Sequence, residues 1–345
     1  MIRMRLLALL CSYFSFSALA SAEDVAADKI SFYKQIRPIF QAQCQGCHQP
    51  AKAQGGFVMT SFDRLLHGGE SGEKAIVPGQ PDASHLLAEI AVVDGKAEMP
   101  KDKAPLSKVE IDLVRKWVEQ GAIDDTPASA AAKYDMEHPP TYSRLPVITS
   151  LDYSPDGKYI AVSGFHEVLL HKADGSGVAA RLVGLSDRIE SAKFSPDGKR
   201  LAVSGGLPCR MGELQVWDLY EGETFQPHLS LSVPLTYDTI YGASWSPDGK
   251  LIAVGCSDKV VRAFDSTSGA LAFFNMAHDD WAVGTAFSVD GAYLASIGRD
   301  MSSKLYDMKT QRFIDNITSI TPGALKGGLQ ALTRNPTKDE ILIGG

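Results

Sequence analysis

Cys44-Gln45-Gly46-Cys47-His48 is the densest concentration of reactive groups in the chain. Two thiols three positions apart share one helical turn, so each can add to a vinyl group of the same porphyrin. The adjacent imidazole then falls beneath the iron as its proximal ligand. The spacing predicts covalent capture of one haem c, with Cys44 and Cys47 as the attachment positions and His48 as the iron ligand. A redox dithiol or half of a zinc site would use the same two cysteines. Neither has its companions: no second cysteine pair follows at zinc-ribbon spacing, and no βαβ pattern surrounds the motif.

A sixth iron ligand must come from elsewhere. Met99, in Glu98-Met99-Pro100, is the leading candidate: it lies 51 residues after His48, in a loop just ahead of a well-signed helix. A thioether there raises the haem potential towards electron-transfer values. Met59, His67 and His85 compete with it. The plain alternative for Met99 is a gap-filling core side chain, as most methionines are; His67 reads as a surface residue at a helix end, and His85 as a first-turn residue of its helix.

The elements that must position these groups can be read from periodicity. Asp28 reads as the N-cap of a helix carrying Ile30, Phe32, Tyr33, Ile36, Ile39 and Phe40 on one face, which Pro38 should kink or split. A short helix is expected around Ser61 to Leu66, and a second from Asp82 to Val92 with Leu86, Leu87 and Ile90 inward. Ser107 and Glu110 form a capping box for a last helix bearing Val109, Ile111, Leu113, Val114, Trp117 and Val118, closed by Gly121. The first and last helices are expected to cross beside the porphyrin.

The amino terminus agrees with this chemistry. Arg3 and Arg5 precede a 15-residue apolar stretch, Leu6 to Ala20, followed by Ala20-Ser21-Ala22. That is the pattern of a cleaved export signal over 1–22, too short to span a bilayer. Thioether attachment belongs to compartments outside the cytoplasm, so periplasmic or other exported localisation is expected. No later segment is apolar enough for a membrane span. The whole chain has net charge −7, and without Arg3 and Arg5 it is −9. With no basic stripe, nucleic acid is disfavoured as a partner. Cys209 and Cys256 remain as two further thiols, read as unpaired and buried.

The span from Phe32 to Ile123 resembles the cytochrome c domain family named for planctomycetes. The resemblance rests on Ile36-x-Pro38-Ile39-Phe40 before the haem motif, Gly55-Gly56-Phe57, Gly68-Gly69-Glu70-Ser71-Gly72, Ile76-Val77-Pro78-Gly79, Ser84-x-Leu86-Leu87, Met99-Pro100, and Leu106 through Trp117 to Gly121-Ala122. It implies a small all-α monohaem cytochrome over 23–123, with Cys44 and Cys47 attached, His48 proximal and Met99 distal. Met99-Pro100-Lys101 departs from the second proline common in such domains.

Residues 124–146 carry an Ala/Ser run and Pro139-Pro140, and read as a linker, with His138 exposed. Beyond it Ser154-Pro155-Asp156-Gly157 returns at Ser195, at Ser246, and in weakened form at Ser288-Val289-Asp290-Gly291, offsets of 41, 51 and 42 residues. The 51 is read as extra loop in the second unit. This part, 147–345, resembles the WD-repeat β-propellers, also through Val216-Trp217-Asp218 and Ala277-His278-Asp279-Asp280-Trp281. The resemblance implies an all-β propeller of four full blades and the start of a fifth. It also implies that His278, Ser296, Asp300 and Tyr306 tie the fourth blade together. The second unit lacks the Asp and the third the His. An ending in mid-blade is expected to mean a longer natural protein.

Three functions are compatible with these features. The first is an exported electron-transfer cytochrome whose propeller docks a redox partner protein. The second is an oxidoreductase with a catalytic propeller fed by the cytochrome, and the third a haem sensor or scaffold. The first is favoured, because the repeats show no second haem motif and no His or carboxylate cluster.

Overall fold

The computed structural model describes residues 29–49, 52–101, 103–127, 134, 136–318 and 328–345. The expected export signal and the expected cap at Asp28 lie outside these residues.

The first hundred described residues are helical and loop-rich. Ser31 caps the opening helix, three residues later than expected, its Oγ accepting from Lys34 N at 3.0 Å. A π-helical turn, Phe32–Ile36, precedes α1 (Arg37–Gln43), which has Pro38 in its first turn. Proline lacks an N–H and is tolerated only there, so it splits the helix as expected. Two short strands, β1 (His48–Gln49) and β2 (Lys52–Ala53), pair directly after the cysteine motif. Then come α2 (Phe62–His67), α3 (His85–Glu89) and α4 (Lys108–Glu119).

The helix expected over 82–92 is thus only five residues long. Pro81–Ala83 form a tighter 3₁₀ turn, and Ser84 Oγ accepts from Val77 N at 2.9 Å while donating to Gln80 O at 2.9 Å. These local bonds compete with an earlier helical start.

The capping box of α4 is complete: Ser107 N donates to Glu110 Oε2 at 2.8 Å and Glu110 N to Ser107 Oγ at 3.3 Å. Ser107→Ala should lower stability by about 1 kcal/mol, read as a shift in the denaturant midpoint at unchanged slope. Val114, Trp117 and Val118 are buried, whereas Val109 faces solvent. The Phe32 ring stacks on Trp117 with centroids 5.3 Å apart, and Phe40 meets the same indole edge-on at 6.4 Å. The first and last helices therefore cross as expected.

Four antiparallel four-stranded sheets follow, each with its strands in sequence order. They are β3 (Leu151–Tyr153), β4 (Tyr159–Ser163), β5 (Val168–Lys172), β6 (Val178–Leu182); β7 (Arg188–Phe194), β8 (Arg200–Leu207), β9 (Met211–Glu221), β10 (Thr224–Thr236); β11 (Ile240–Trp245), β12 (Leu251–Cys256), β13 (Val261–Asp265), β14 (Leu271–Asn275); and β15 (Ala282–Phe287), β16 (Tyr293–Gly298), β17 (Ser303–Asp307), β18 (Arg312–Asn316). The strands β19 (Ala331–Arg334) and β20 (Ile341–Gly344) pair as a two-stranded sheet, and β19 packs beside β15. These are four blades and part of a fifth.

Each Ser-Pro-Asp-Gly turn joins the first two strands of its blade. In the first, Ser154 Oγ donates to Asp156 Oδ1 at 2.6 Å and accepts from Tyr159 N at 2.9 Å, with Gly157 at φ +70°. Ser288 and Asp290 reproduce these bonds without the proline. Hydroxyl, carboxylate and glycine therefore make this corner, and proline only pre-sets it.

In the second blade the extra length is strand rather than the expected loop. β9 has 11 residues and β10 has 13, against six or fewer for every strand of the other four-stranded sheets. The helical part rests on this lengthened edge. Lys52 Nζ donates to Ser230 O at 2.7 Å, and the Arg210 guanidinium lies 4.9 Å from the Tyr33 ring centroid. An edge strand's free carbonyls are thereby covered.

The described end of the 124–146 segment is also anchored, not a bare connector. Tyr142 OH donates to Glu167 Oε1 at 2.8 Å, and Pro140 O accepts from Arg181 at 3.2 Å on the first blade. His138 is exposed, as expected. Among the described residues no helix is long and apolar enough to cross a membrane.

Candidate functional site

The cysteine motif continues directly from α1 as a tight turn. Cys44 N and Gln45 N both donate to Phe40 O, at 2.9 and 2.8 Å, and Cys47 N and His48 N both donate to Cys44 O at 3.1 Å. The two thiols are free and share this turn, as the spacing requires. Burial then divides the segment: Gln45, Gly46 and Gln49 are buried, while Cys44, Cys47 and His48 are half-buried. Gln45 Nε2 donates to Met59 O at 3.0 Å and Met59 N to His48 O at 2.9 Å, so the motif is pinned from behind.

Cys44, Phe57, Met99, Ile111 and Leu113 are each half-buried and pack on the helical core. The Phe57 ring stands 5.2 Å from the His48 ring. Met99 is held by its N–H, which donates to Glu89 O at 2.9 Å. Lys103 and Glu110 lie close enough to act on the Cys44 thiol, so the loop after Met99 and the head of α4 come up beside the motif.

The competing ligands are placed differently. Met59 is buried in the core, His67 is exposed with Nδ1 2.7 Å from Asp63 O, and His85 opens α3 with Nε2 3.3 Å from Glu89 Oε1.

The electrostatics follow from burial. Burial pushes the Cys44 thiol up to about 12, and Lys103 opposes it. Burial also holds the His48 imidazole below its ordinary value, against pulls from the Phe57 and Gln54 carbonyls, which favours the neutral ring that binds metals. His48 Nδ1 is buried with no hydrogen-bond partner. Two free thiols on one turn, an imidazole whose neutral form burial favours, and the half-buried Phe57 ring beside it fit a covalently held haem. Among the described residues no group of three or more His, Cys, Asp and Glu is gathered as a metal site.

Of the remaining cysteines, Cys256 is buried in β12 as expected, but Cys209 is exposed at the tip of the β8–β9 hairpin, and both are free. The four WD-type residues meet in the fourth blade. His278 Nδ1 is 3.0 Å from Asp300 Oδ2, His278 Nε2 is 2.6 Å from Ser296 Oγ, and Ser296 Oγ is 3.1 Å from Tyr306 OH. Their role is to tie strands together.

Sequence reasoning missed the contacts of Gly46, Gln49 and Lys52 with the second blade. The only trace of them was the 51-residue offset.

Comparison with known proteins agrees with this two-part reading. Residues 44–103 match the family described as planctomycete cytochrome C, and residues 225–265 match the WD domain, G-beta repeat. The chain thus carries a planctomycete-type cytochrome C domain followed by a WD-repeat domain. The second match starts in β10 of one sheet and ends in β13 of the next, so the sequence repeat runs out of phase with the blade. Among curated proteins, WD repeat and SOCS box-containing protein 1 of Danio rerio is 31% identical over 99 residues, covering 28% of this chain and 22% of that protein. Coronin-7 of Rattus norvegicus is 27% identical over 209 residues, 58% of this chain and 22% of that protein. Eukaryotic translation initiation factor 3 subunit I of Danio rerio is 23% identical over 140 residues, 41% of each. The chain spans well under half the length of each of these relatives.

Proposed function

We propose that this protein is an exported monohaem c-type cytochrome that transfers electrons, with its propeller as the docking module for a redox partner protein. The observation that carries the reading is the turn on which the free Cys44 and Cys47 thiols and the adjacent His48 sit half-buried while Gln45, Gly46 and Gln49 are buried, with Met99 half-buried against the same helical core as Cys44. Cys44 and Cys47 would attach the haem, His48 would be its proximal ligand and Met99 its distal one. The haem, when bound, supplies a one-electron couple. The chain would hold His48 and Met99 on separate segments, each tied by a backbone hydrogen bond, so that little rearranges when the charge changes. Residues 1–22 would be removed on export, 23–123 would form the cytochrome unit, 124–146 the linker and 147–345 the propeller. The role is that of a carrier, not a stand-alone enzyme.

The test is optical and potentiometric. Protein produced in a host competent for cytochrome maturation should hold one haem per chain and titrate as a reversible one-electron couple. Met99→Ala should abolish the sulfur-to-iron charge-transfer band and lower the potential, because thioether ligation is what raises it. An unchanged spectrum in Met99→Ala would overturn the distal assignment. Turnover with nitrite or alcohols would favour the catalytic-propeller reading instead.

A further inference from the structure

Of the chain's four tryptophans, three donate their indole N–H within the fold: Trp117 to Ile123 O at 3.0 Å, Trp217 to Gln215 Oε1 at 2.9 Å and Trp245 to Lys193 O at 2.9 Å. Trp281 donates only through its backbone N–H, to Asp280 Oδ1 at 2.7 Å, and its indole N–H has no acceptor among the described residues. The Tyr241 ring stacks on this indole with centroids 5.7 Å apart, and the Arg299 guanidinium lies 4.5 Å from it. Among the described residues Arg299 has no carboxylate at ion-pair distance, and Tyr241 OH has no hydrogen-bond partner. Two neighbouring blades thus gather three donors without an acceptor.

The three line a cavity of about 930 Å³ between the first strands of the five sheets. Its other charged groups are already answered. Arg188 pairs with Glu190, Lys193 with Asp152 at 3.1 Å, and Asp238 Oδ1 accepts from Cys209 N at 3.0 Å and Thr239 N at 2.7 Å. Cys209, at the tip of the β8–β9 hairpin, also lines a cleft of about 190 Å³ between the helical part and the second blade. Tyr33, Arg37, Arg210 and Tyr237 form its walls, with both guanidinium groups beside the Tyr33 ring, at 5.7 and 4.9 Å, and Tyr237 85% exposed. Cavity and cleft together present five cationic side chains and two carboxylates, in a chain of net charge −7. Asp124 and Asp187 act on Arg37, which leaves Arg210 and Arg299 as the cations without a counter-ion among the described residues.

We propose that this joined cavity and cleft receive an acidic segment of the partner protein, with one carboxylate taken by Arg299, Trp281 Nε1–H and Tyr241 OH and another by Arg210. The inference rests on the docking reading above and names the chemistry of the partner. A basic lining on an acidic chain selects such a segment over other surfaces. The cavity is far larger than a lone ion needs, and Tyr237 offers an exposed aromatic anchor beside it. A guanidinium stacked on a ring keeps its N–H edge for bidentate carboxylate bonds. Because the hairpin borders both spaces, a segment lying across them touches the helical part and the propeller at once.

The test is fluorescence anisotropy on the full chain with a fluorescein-labelled alternating Glu-Gly peptide, against its alternating Gln-Gly counterpart. The acidic peptide should bind, more weakly as salt rises, and the neutral one should not. Arg299→Gln and Arg210→Gln should each weaken binding about tenfold, the loss of one charge-assisted contact. Trp281→Phe, which keeps the ring and removes the N–H, should weaken it about threefold. Arg312→Gln, on the exposed β18, should leave it unchanged. Equal binding of the two peptides, or an equal loss in Arg312→Gln, would overturn the proposal. So would displacement of the peptide by inorganic phosphate at matched ionic strength, which would show a small-anion site only. Peptide binding needs no haem. A haem-loaded chain that titrates reversibly but ignores the acidic peptide would sink this proposal and leave the electron-transfer reading standing; a chain that binds the peptide but carries no covalent haem would do the reverse.

Discussion

Alanine at both Cys44 and Cys47 is expected to take covalent haem from one per chain to none, measured after acid–acetone extraction of the denatured protein. Each single variant should keep one thioether. The reasoning is geometric. Both thiols lie on the turn made by the Cys47 and His48 amides bonding to Cys44 O, and each is free. The other two described cysteines lie outside this turn, one exposed on a hairpin and one buried in a strand, so neither shares the spacing that attachment needs. Without the haem, Phe57, whose ring stands beside His48, stays half-exposed. That forgoes roughly 1 kcal/mol of apolar burial, about half the value for full burial. The double variant should therefore also unfold at lower temperature. Haem retained at wild-type level would show that attachment lies elsewhere.

The second large effect belongs to the fourth blade. Asp300→Ala should cost about 1–3 kcal/mol, because it leaves a ring nitrogen of His278, whose side chain is 0% exposed, without its hydrogen-bond partner. Asp300 also accepts from Asp279 N at 2.9 Å and from Ser302 Oγ at 2.8 Å, ties lost in the same step. Burial alone would raise the Asp300 carboxyl, but the His278, Asp279 and Ser302 donors outweigh it and hold it well below the usual range. The sign for pH follows. A depressed folded-state value contributes stability above the unfolded carboxylate value of about 4 and loses it as pH falls towards the folded one. The stability gap between the unmodified chain and Asp300→Asn, measured by denaturant titration, should be full at pH 7 and shrink below about pH 4. A gap that stays constant down to acid unfolding would refute the assignment.

Much of the molecule could be read locally. The haem motif is five consecutive residues, the capping box four, and each blade corner four or five, and chemistry at that range is written into spacing. His278, Ser296, Asp300 and Tyr306 were also legible, because one blade is built from one contiguous stretch. Readings that depended on competing local bonds went astray. Ser84 and Pro81 shortened α3, and Ser31 marked the opening helix later than an acidic cap had suggested. The insertion in the second unit was visible as a number, 51, but its meaning was not. A count of residues does not distinguish a loop from two longer strands, since that depends on whether another surface covers the added edge.

The chain's own order of residues therefore determined the haem motif, the blade corners and the alternation of helical and strand-rich parts. Each of these is decided by neighbours within a few positions. Only the tertiary structure placed Gly46, Gln49 and Lys52 against β9 and β10. Those contacts join residues more than 160 positions apart, and no periodicity or spacing encodes which edge a separate unit will cover.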